Sequence, residues 1–235
     1  MVKGNERGSF TIRLVSVDTQ ASLKIAAERL MESKQHWENV FTTKNPDEVS
    51  WFQQHAHLSL KWIAETNLPE TASIIDVGGG DSRLVDDLLD KGYKDITVLD
   101  LSANALSRAK ARLGDNASTI KWIEADITEV RLPKGKYDLW HDRAVFHFLI
   151  DGAGRNAYIK TMLRTLKPFG RIILATFAED GPSKCSGLPV MRYSSKKLNA
   201  ELGKSVELLR CENELHVTPS ANRQKFIYCE FQKLT

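Results

Sequence analysis

Long apolar runs are absent from this 235-residue chain. Every hydrophobic stretch is broken well before the roughly 20 residues that a bilayer-spanning helix requires. Cysteine is scarce. Cys185, Cys211 and Cys229 are scattered, odd in number and without C-x-x-C spacing, which speaks against a metal site and for a reducing compartment. A large charge of one sign is lacking too. The 33 basic and 30 acidic residues leave a net charge of +3, too little to argue for nucleic acid or a membrane surface as partner. Met1 to Val17 lacks the uninterrupted apolar core of a secretory signal, and Glu6 and Asp18 weigh against an organelle presequence despite Lys3, Arg7 and Arg13. Residues 1–20 therefore read as a flexible extension of a cytoplasmic protein. Internal repeats, low-complexity segments and interdomain linkers are missing as well. What remains is an ordinary globular composition, 42% hydrophobic and 27% charged, long enough for a sizeable core.

Within that composition one stretch organises the rest: Ile74-Ile75-Asp76-Val77-Gly78-Gly79-Gly80-Asp81-Ser82, followed by Arg83-Leu84-Val85-Asp86-Asp87-Leu88-Leu89. It predicts a buried strand, a tight glycine turn and an amphipathic helix. Glycines there let the backbone approach a ligand closely. Ahead of it, residues 21–69 read as an N-terminal helical cap, with one helix over Ala21–Met31 and another around Leu58, Trp62 and Ile63. The aromatics Trp37, Phe41, Trp51 and Phe52 read either as packing for that cap or, for Trp51 and Phe52, as a lid over a ligand. After the turn, apolar segments around Ile96–Asp100, Ile120–Asp126, Tyr137–His141 and Arg171–Phe177 alternate with helical periodicity, the pattern of a doubly wound α/β sheet. Ser102 is placed to cap the helix bearing Leu106, Ala109 and Leu113, and Gly92 to close the one before it. A short helix over Ser195–Leu202 precedes two strands, Val206–Leu209 and Phe226–Phe231, joined by a loop and expected to pair antiparallel at the end of the sheet. Residues 70–235 are thus one core.

Ligands of such sheets bind at the carboxyl ends of the strands, and these strands end in polar residues: Asp76, Asp100, Asp126, then His141 with Asp142. Asp100 lies about 20 residues past the glycines, where an acid accepts from ribose hydroxyls. Asp126 is set to face the adenine side. Asp76 suits a cationic amino group. A dinucleotide fingerprint demands a third glycine where this chain has Arg83, and a pyrophosphate disfavours the flanking carboxylates Asp76 and Asp81. The D-x-G-x-G pattern suits S-adenosylmethionine, which carries a zwitterionic amino acid in place of phosphates. Each acid taken alone can also be a helix or turn cap.

Together these motifs resemble the class I S-adenosylmethionine-dependent methyltransferases, and the order Ile75-Asp76-Val77-Gly78-Gly79-Gly80, Val98-Leu99-Asp100-Leu101-Ser102, Glu124-Ala125-Asp126-Ile127, Tyr137-Asp138-Leu139-Trp140-His141-Asp142-Arg143 and Leu166-Lys167-Pro168-Phe169-Gly170 follows the family. The resemblance implies a Rossmann-like seven-stranded mixed sheet whose last strand is antiparallel. It implies that Asp76, Gly78 and Gly80 hold the methionine moiety, Asp100 the ribose, and Asp126 and Ile127 the adenine, with Trp51, Gly79, Leu101 and His141 as further cofactor-binding candidates. Ser82 and Phe169 depart from the pattern, where many members have glycine and Pro-Gly-Gly is usual. Segments 140–148 and 181–189 look like the type-12 or methyltransferase-like subgroup, whose relatives methylate protein lysines or small molecules.

Methyl transfer needs alignment more than acid–base chemistry, and a general base only where the nucleophile must lose a proton. His141, Asp142 and Arg143 are the catalytic candidates at the fourth-strand edge. His141 can also serve the cofactor through its backbone, and Asp142 with Arg143 can be an internal ion pair. His147, between Phe146 and Phe148, reads as a packed residue before it reads as a base. Cys185 either lines the substrate pocket or is an inert buried thiol, and His216 and Arg223 are weaker pocket candidates. The Asn-Pro-Pro-Tyr run of amine methyltransferases acting on nucleic bases or glutamine is missing, so the acceptor is expected to be a protein side chain or a small molecule. The competing readings are a non-catalytic adenosyl-ligand-binding protein and a nucleotide-dependent oxidoreductase, the latter disfavoured by Arg83.

Overall fold

The computed structural model describes residues 19–235; the extension read over residues 1–20 lies almost wholly outside them. The chain opens with two helices, α1 (Thr19–Thr43) and α2 (His57–Glu65). Then β1 (Ser73–Val77), α3 (Leu84–Asp90), β2 (Asp95–Asp100), α4 (Ala103–Leu113) and β3 (Lys121–Glu124) follow in alternation. They continue through β4 (Tyr137–Arg143), α5 (Gly152–Thr165) and β5 (Leu166–Phe177). A two-stranded ribbon, β6 (Lys184–Cys185) with β7 (Leu188–Pro189), precedes α6 (Ser195–Leu202), β8 (Val206–Val217) and β9 (Arg223–Lys233). The main sheet has seven strands in the order β3-β2-β1-β4-β5-β9-β8. Strands β1 to β5 run parallel, and β9 lies antiparallel between β5 and β8.

All five residues of β1 are buried, because a parallel sheet is covered on both faces. Alternation along each strand feeds two separate cores. Ile75, Trp140 and Ile172 pack with Tyr158 and Met162 of α5 and Leu198 and Leu202 of α6 on one face. Ile74, Leu139 and Ile173 pack with Trp62 of α2, Leu88 of α3 and Leu106 of α4 on the other. The order of strands reverses between β1 and β4. There the loops after neighbouring strands diverge and leave a crevice.

Three expectations change. The first helix runs to Thr43, well past Met31, so Trp37 and Phe41 stand on α1. The eighth strand has 12 residues rather than the four expected over Val206–Leu209, because eleven of its positions pair with β9 and pairing overrides its polar alternation. The fifth strand, expected over Arg171–Phe177, starts already at Leu166, and within its first residues Phe169 takes a left-handed backbone (φ +61°). Among the described residues no helix is long and apolar enough to cross a membrane.

Candidate active site

The glycine turn leaves β1 through Gly78 (φ +68°) and Gly80 (φ +42°), a conformation that penalises any side chain. Space forbids one as well. A Cβ on Gly78 would lie 1.9 Å from Cγ2 of Val145, and one on Gly79 2.6 Å from Oδ2 of Asp76. At Gly80 the nearest atom would be Oδ2 of Asp100, at 2.8 Å. The turn is anchored on the neighbouring strand, since the Gly78 N–H donates to the Leu99 carbonyl at 2.7 Å. Ser82 accepts from the Leu84 N–H at 3.1 Å, so a hydroxyl serves the helix start where a glycine is common.

Asp76 and His141 are register partners on β1 and β4, and both side chains are buried. His141 Nδ1 lies 2.7 Å from Asp76 Oδ1, and its Nε2 lies 2.8 Å from Ser59 Oγ of α2. A carboxylate can only accept, so Nδ1 donates to Asp76, and in the neutral ring Nε2 accepts from the serine hydroxyl. The network continues from Ser59 to the Tyr228 hydroxyl at 3.4 Å, which accepts from Arg143 Nε at 3.0 Å. Arg143 also donates to the Trp51 carbonyl at 3.2 Å and pairs with Glu214 of β8 at 3.3 Å. Its guanidinium stacks 4.4 Å from the centre of the Phe226 ring. His141 is thereby held at both ring nitrogens and, through Nδ1, orients Asp76.

Asp100 ends β2. Its Oδ1 accepts from the Ser102 N–H at 2.8 Å, and burial, reinforced by the negative charge of Asp76, pushes its carboxyl up to about 7. The adjoining helix α4 is capped twice. Ser102 accepts from the Ala105 N–H at 3.1 Å, and Glu38, reaching over from α1, accepts from the Ala103 N–H at 2.7 Å, the Asn104 N–H at 3.1 Å and the Ser102 hydroxyl at 2.9 Å. An acid at the start of a helix satisfies unpaired N–H groups and the helix dipole together. Here it also pins α1 across the cleft. Asp126 is partly engaged: its Oδ1 accepts from the N–H and hydroxyl of Thr128, both at 2.6 Å.

Asp142 departs from its expected role. Neighbouring residues of a strand face opposite sides of a sheet, so with His141 and Arg143 toward the cleft Asp142 points into the core. It is fully buried. It accepts from the Val145 and Phe146 N–H groups at 2.8 and 3.0 Å and from the Tyr158 hydroxyl at 2.5 Å. Burial pushes it up to about 6. Neither a pocket position nor an ion pair with Arg143 is found; Asp142 instead holds the turn in which Ala144 takes a left-handed backbone (φ +77°) and which presents Val145 to the cleft. His147 is likewise buried, its Nδ1 accepting from the Phe177 N–H at 3.3 Å, and burial pushes it down to about 3.

The cleft has two chambers that share Phe41, Trp51, Gly78 and Arg143. The larger, about 150 Å³, is lined by Asp100, Leu101, Asp126 and Ile127 on the β2–β3 side and by Trp37, Phe148 and Cys185 opposite. The smaller, about 70 Å³, takes in Asp76, the three glycines, Asp81, Arg108 and His141. Aromatic rings roof the junction: Trp37 meets Phe148, Trp51 and Phe41 at ring-centre distances of 5.1, 5.7 and 6.3 Å. Cys185 lines the larger chamber, yet burial pushes its thiol up to about 11, so both expectations for it meet in one residue. His216 is occupied by the Ser50 carbonyl at 2.8 Å, and Arg223 lies on a separate surface pocket. The sequence reading missed Glu38 and Arg108, along with Ser59, Tyr228 and Glu214 of the network. Arg108 Nη1 and Asp81 Oδ2 form a long ion pair at 3.9 Å beside the glycines, and both atoms are buried without a hydrogen bond. The periodicity of α4 marks Arg108 only as polar, so nothing local distinguished it.

Comparison with known proteins agrees with this geometry. Residues 74–170 match the methyltransferase-domain family. The eEF1A lysine and N-terminal methyltransferase of Danio rerio is 22% identical over 151 residues, covering 63% of this chain and 22% of that protein. The chain thus spans about a fifth of the length of the eEF1A lysine and N-terminal methyltransferases it matches. Among solved structures, a SAM-dependent methyltransferase of Methanosarcina mazei superposes with a TM-score of 0.60 at 17% identity, over 73% of this chain and 97% of that one. The 1,6-didemethyltoxoflavin-N1-methyltransferase of Burkholderia thailandensis, solved with bound 1,6-didemethyltoxoflavin and S-adenosylhomocysteine, superposes with a TM-score of 0.62 at 15% identity, over 95% of this chain and 94% of that one. In its strand order, glycine turn and strand-end acids the chain is similar to the class I S-adenosylmethionine-dependent methyltransferases, and residues 74–170 carry the methyltransferase-domain match.

Proposed function

We propose that the cleft binds S-adenosylmethionine across its two chambers and that the chain transfers the methyl group to an acceptor under the aromatic roof. The observation that carries this reading is the glycine cradle with charge of both signs around it. No Cβ fits at Gly78–Gly80, Asp76 and Arg108, whose Nη1 makes no hydrogen bond, flank it, and Asp100 lies just beyond. A zwitterionic amino acid needs both a carboxylate and a cation; a pyrophosphate would be repelled by Asp76 and Asp81. In this reading Arg108 receives the methionine carboxylate, Asp76 the ammonium, Asp100 the ribose, and Leu101, Asp126 and Ile127 the adenosine edge. Residues 70–235 form the cofactor-binding core and 21–69 its cap, in a cytoplasmic setting consistent with three unbridged cysteines.

When bound, the cofactor supplies a methyl group already activated on a sulfonium, so the protein's part is alignment and exclusion of water. Trp37, Phe41, Trp51 and Phe148 supply the exclusion. Ser59, His141 and Tyr228 hold Asp76 and Arg143 in place. Three of Arg143's five N–H groups are used in the hydrogen bonds described, which leaves donors for an acceptor in the larger chamber. The charged residues lining that chamber are Asp100, Asp126 and Arg143, with both acids on the adenosine side. The acceptor therefore meets aromatic rings and one cation, which favours a small neutral or anionic nucleophile. A second reading, methylation of a protein lysine, is favoured by the curated relatives named as eEF1A lysine methyltransferases.

Calorimetry with S-adenosylhomocysteine and with a nicotinamide dinucleotide tests the cofactor: the first binds and the second does not. Binding of the dinucleotide alone overturns the proposal. Tritiated methyl transfer into lysate, separated into protein and metabolite pools, decides between acceptors, with label expected in the metabolite pool. Tight cofactor binding with no label in either pool would mark a binding protein without turnover.

A further inference from the structure

On the sheet edge farthest from the glycine turn, Cys211 of β8 and Cys229 of β9 are direct register partners. Directly opposed residues of an antiparallel pair have Cα atoms about 4.5 to 5.5 Å apart, inside the roughly 4.4–6.8 Å that a disulfide spans. The two sulfurs lie 2.9 Å apart, and a formed bridge at about 2.05 Å asks for a further approach of only ~1 Å. Both thiols are unbridged, Cys211 exposed on the edge strand and Cys229 buried beneath it.

We propose that Cys211 and Cys229 are a redox-active pair that closes to a cross-strand disulfide at the expense of a small disulfide such as oxidised glutathione. The exposed Cys211 reacts first: its thiolate attacks one sulfur of glutathione disulfide, forming a mixed disulfide and releasing one glutathione thiolate. Cys229 then gives its proton to solvent and attacks the Cys211 sulfur, and the second glutathione leaves as thiolate. Two protein thiols are oxidised and one glutathione disulfide is reduced to two thiols. Burial and the adjacent Cys211 sulfur hold the Cys229 thiol well above its ordinary value, so the second step is the slower one and quickens as pH rises. The bridge ties β8 to β9 three residues from Glu214 and five from His216, the two side chains through which β8 reaches Arg143 and Ser50. Cys185 lines the larger chamber of the cleft, apart from this pair, and takes no part.

Peptide mapping of the full chain reads this directly, because trypsin cuts after Arg210, Arg223, Lys225 and Lys233 and places the cysteines on separate peptides, 211–223 and 226–233. The folded, reduced protein is incubated with glutathione disulfide at pH 7 and pH 8.5, quenched in acid, alkylated and digested without reductant. The expected product is the linked pair of peptides, formed several-fold faster at the higher pH, with Cys185 still alkylated. Cys229→Ser is expected to stop at a glutathione adduct on Cys211, and Cys211→Ser to yield neither adduct nor bridge. A wild-type reaction that ends at the Cys211 adduct, or that bridges only in denaturant, overturns the proposal.

Discussion

At the scale of the residue, burial has pushed the Asp100 carboxyl up to about 7. Ribose hydroxyls donate to the ionised form, so affinity for S-adenosylhomocysteine is expected to rise as pH climbs from 6 to 8, by roughly three- to tenfold. Calorimetry across that range checks it, and Asp100→Asn should bind more weakly with that rise removed. The same residue makes a stability statement of opposite sense. Its folded value lies above the unfolded one, so between about pH 4 and 7 the folded chain binds more protons than the unfolded chain and loses stability as pH rises. Asp100→Asn should therefore raise the melting temperature of the ligand-free protein at pH 8, by a free energy on the order of 2–4 kcal/mol, and change it little at pH 4. Arg108→Ala should weaken S-adenosylhomocysteine about tenfold or more through loss of a charge-assisted bond, and leave adenosine, which has no carboxylate, unaffected. Equal loss for both ligands would sink the carboxylate assignment. Phe169 is 64% exposed and left-handed. Phe169→Gly should stabilise the fold by about 0.5–1 kcal/mol, relief of backbone strain exceeding the added freedom of the unfolded chain, measurable as a higher midpoint in urea.

At the scale of elements, α1 and the β4 turn decide how the cleft is closed. Glu38 joins α1 to the first turn of α4 through three hydrogen bonds, directly beside Asp100. Glu38→Ala should loosen that roof and speed S-adenosylhomocysteine dissociation several-fold, as stopped-flow displacement would record, with a smaller effect on global stability because Ser102 still caps α4. Asp142→Ala has a different expected outcome: two buried N–H groups and the Tyr158 hydroxyl lose their acceptor. A loss of roughly 3 kcal/mol or more in folding free energy follows. An Asp142→Ala variant that melts like the wild type and fails only in turnover would return that residue to the chemistry.

For the molecule as a whole, the two cores on either face of the sheet and the parallel strand order follow from pattern. Continuous apolar runs ending in acids, with amphipathic segments between them, have few other stable arrangements. That is why the seven-stranded mixed sheet, the cap of Ser102 on α4, the antiparallel tail strands and the cleft beside Gly78–Gly80 were legible before the structure. The ends of α1 and β8 were not. Trp37 and Phe41 extend a helix because they reach the cleft roof, and β8 lengthens because β9 supplies partners along its whole length.

The sequence by itself determined the elements, their order and the acids at the strand ends, since periodicity and glycine placement are local properties of the chain. It also left His141, Asp142 and Arg143 as one undivided group. Only the tertiary structure separated them, because strand alternation sends Asp142 into the core while a network from α2 and β9 engages His141 and Arg143 at the cleft. Glu38, Arg108 and the Cys211–Cys229 pair belong to the same class. Their partners lie on elements distant in sequence, and no local pattern encodes a contact that exists only once those elements have packed.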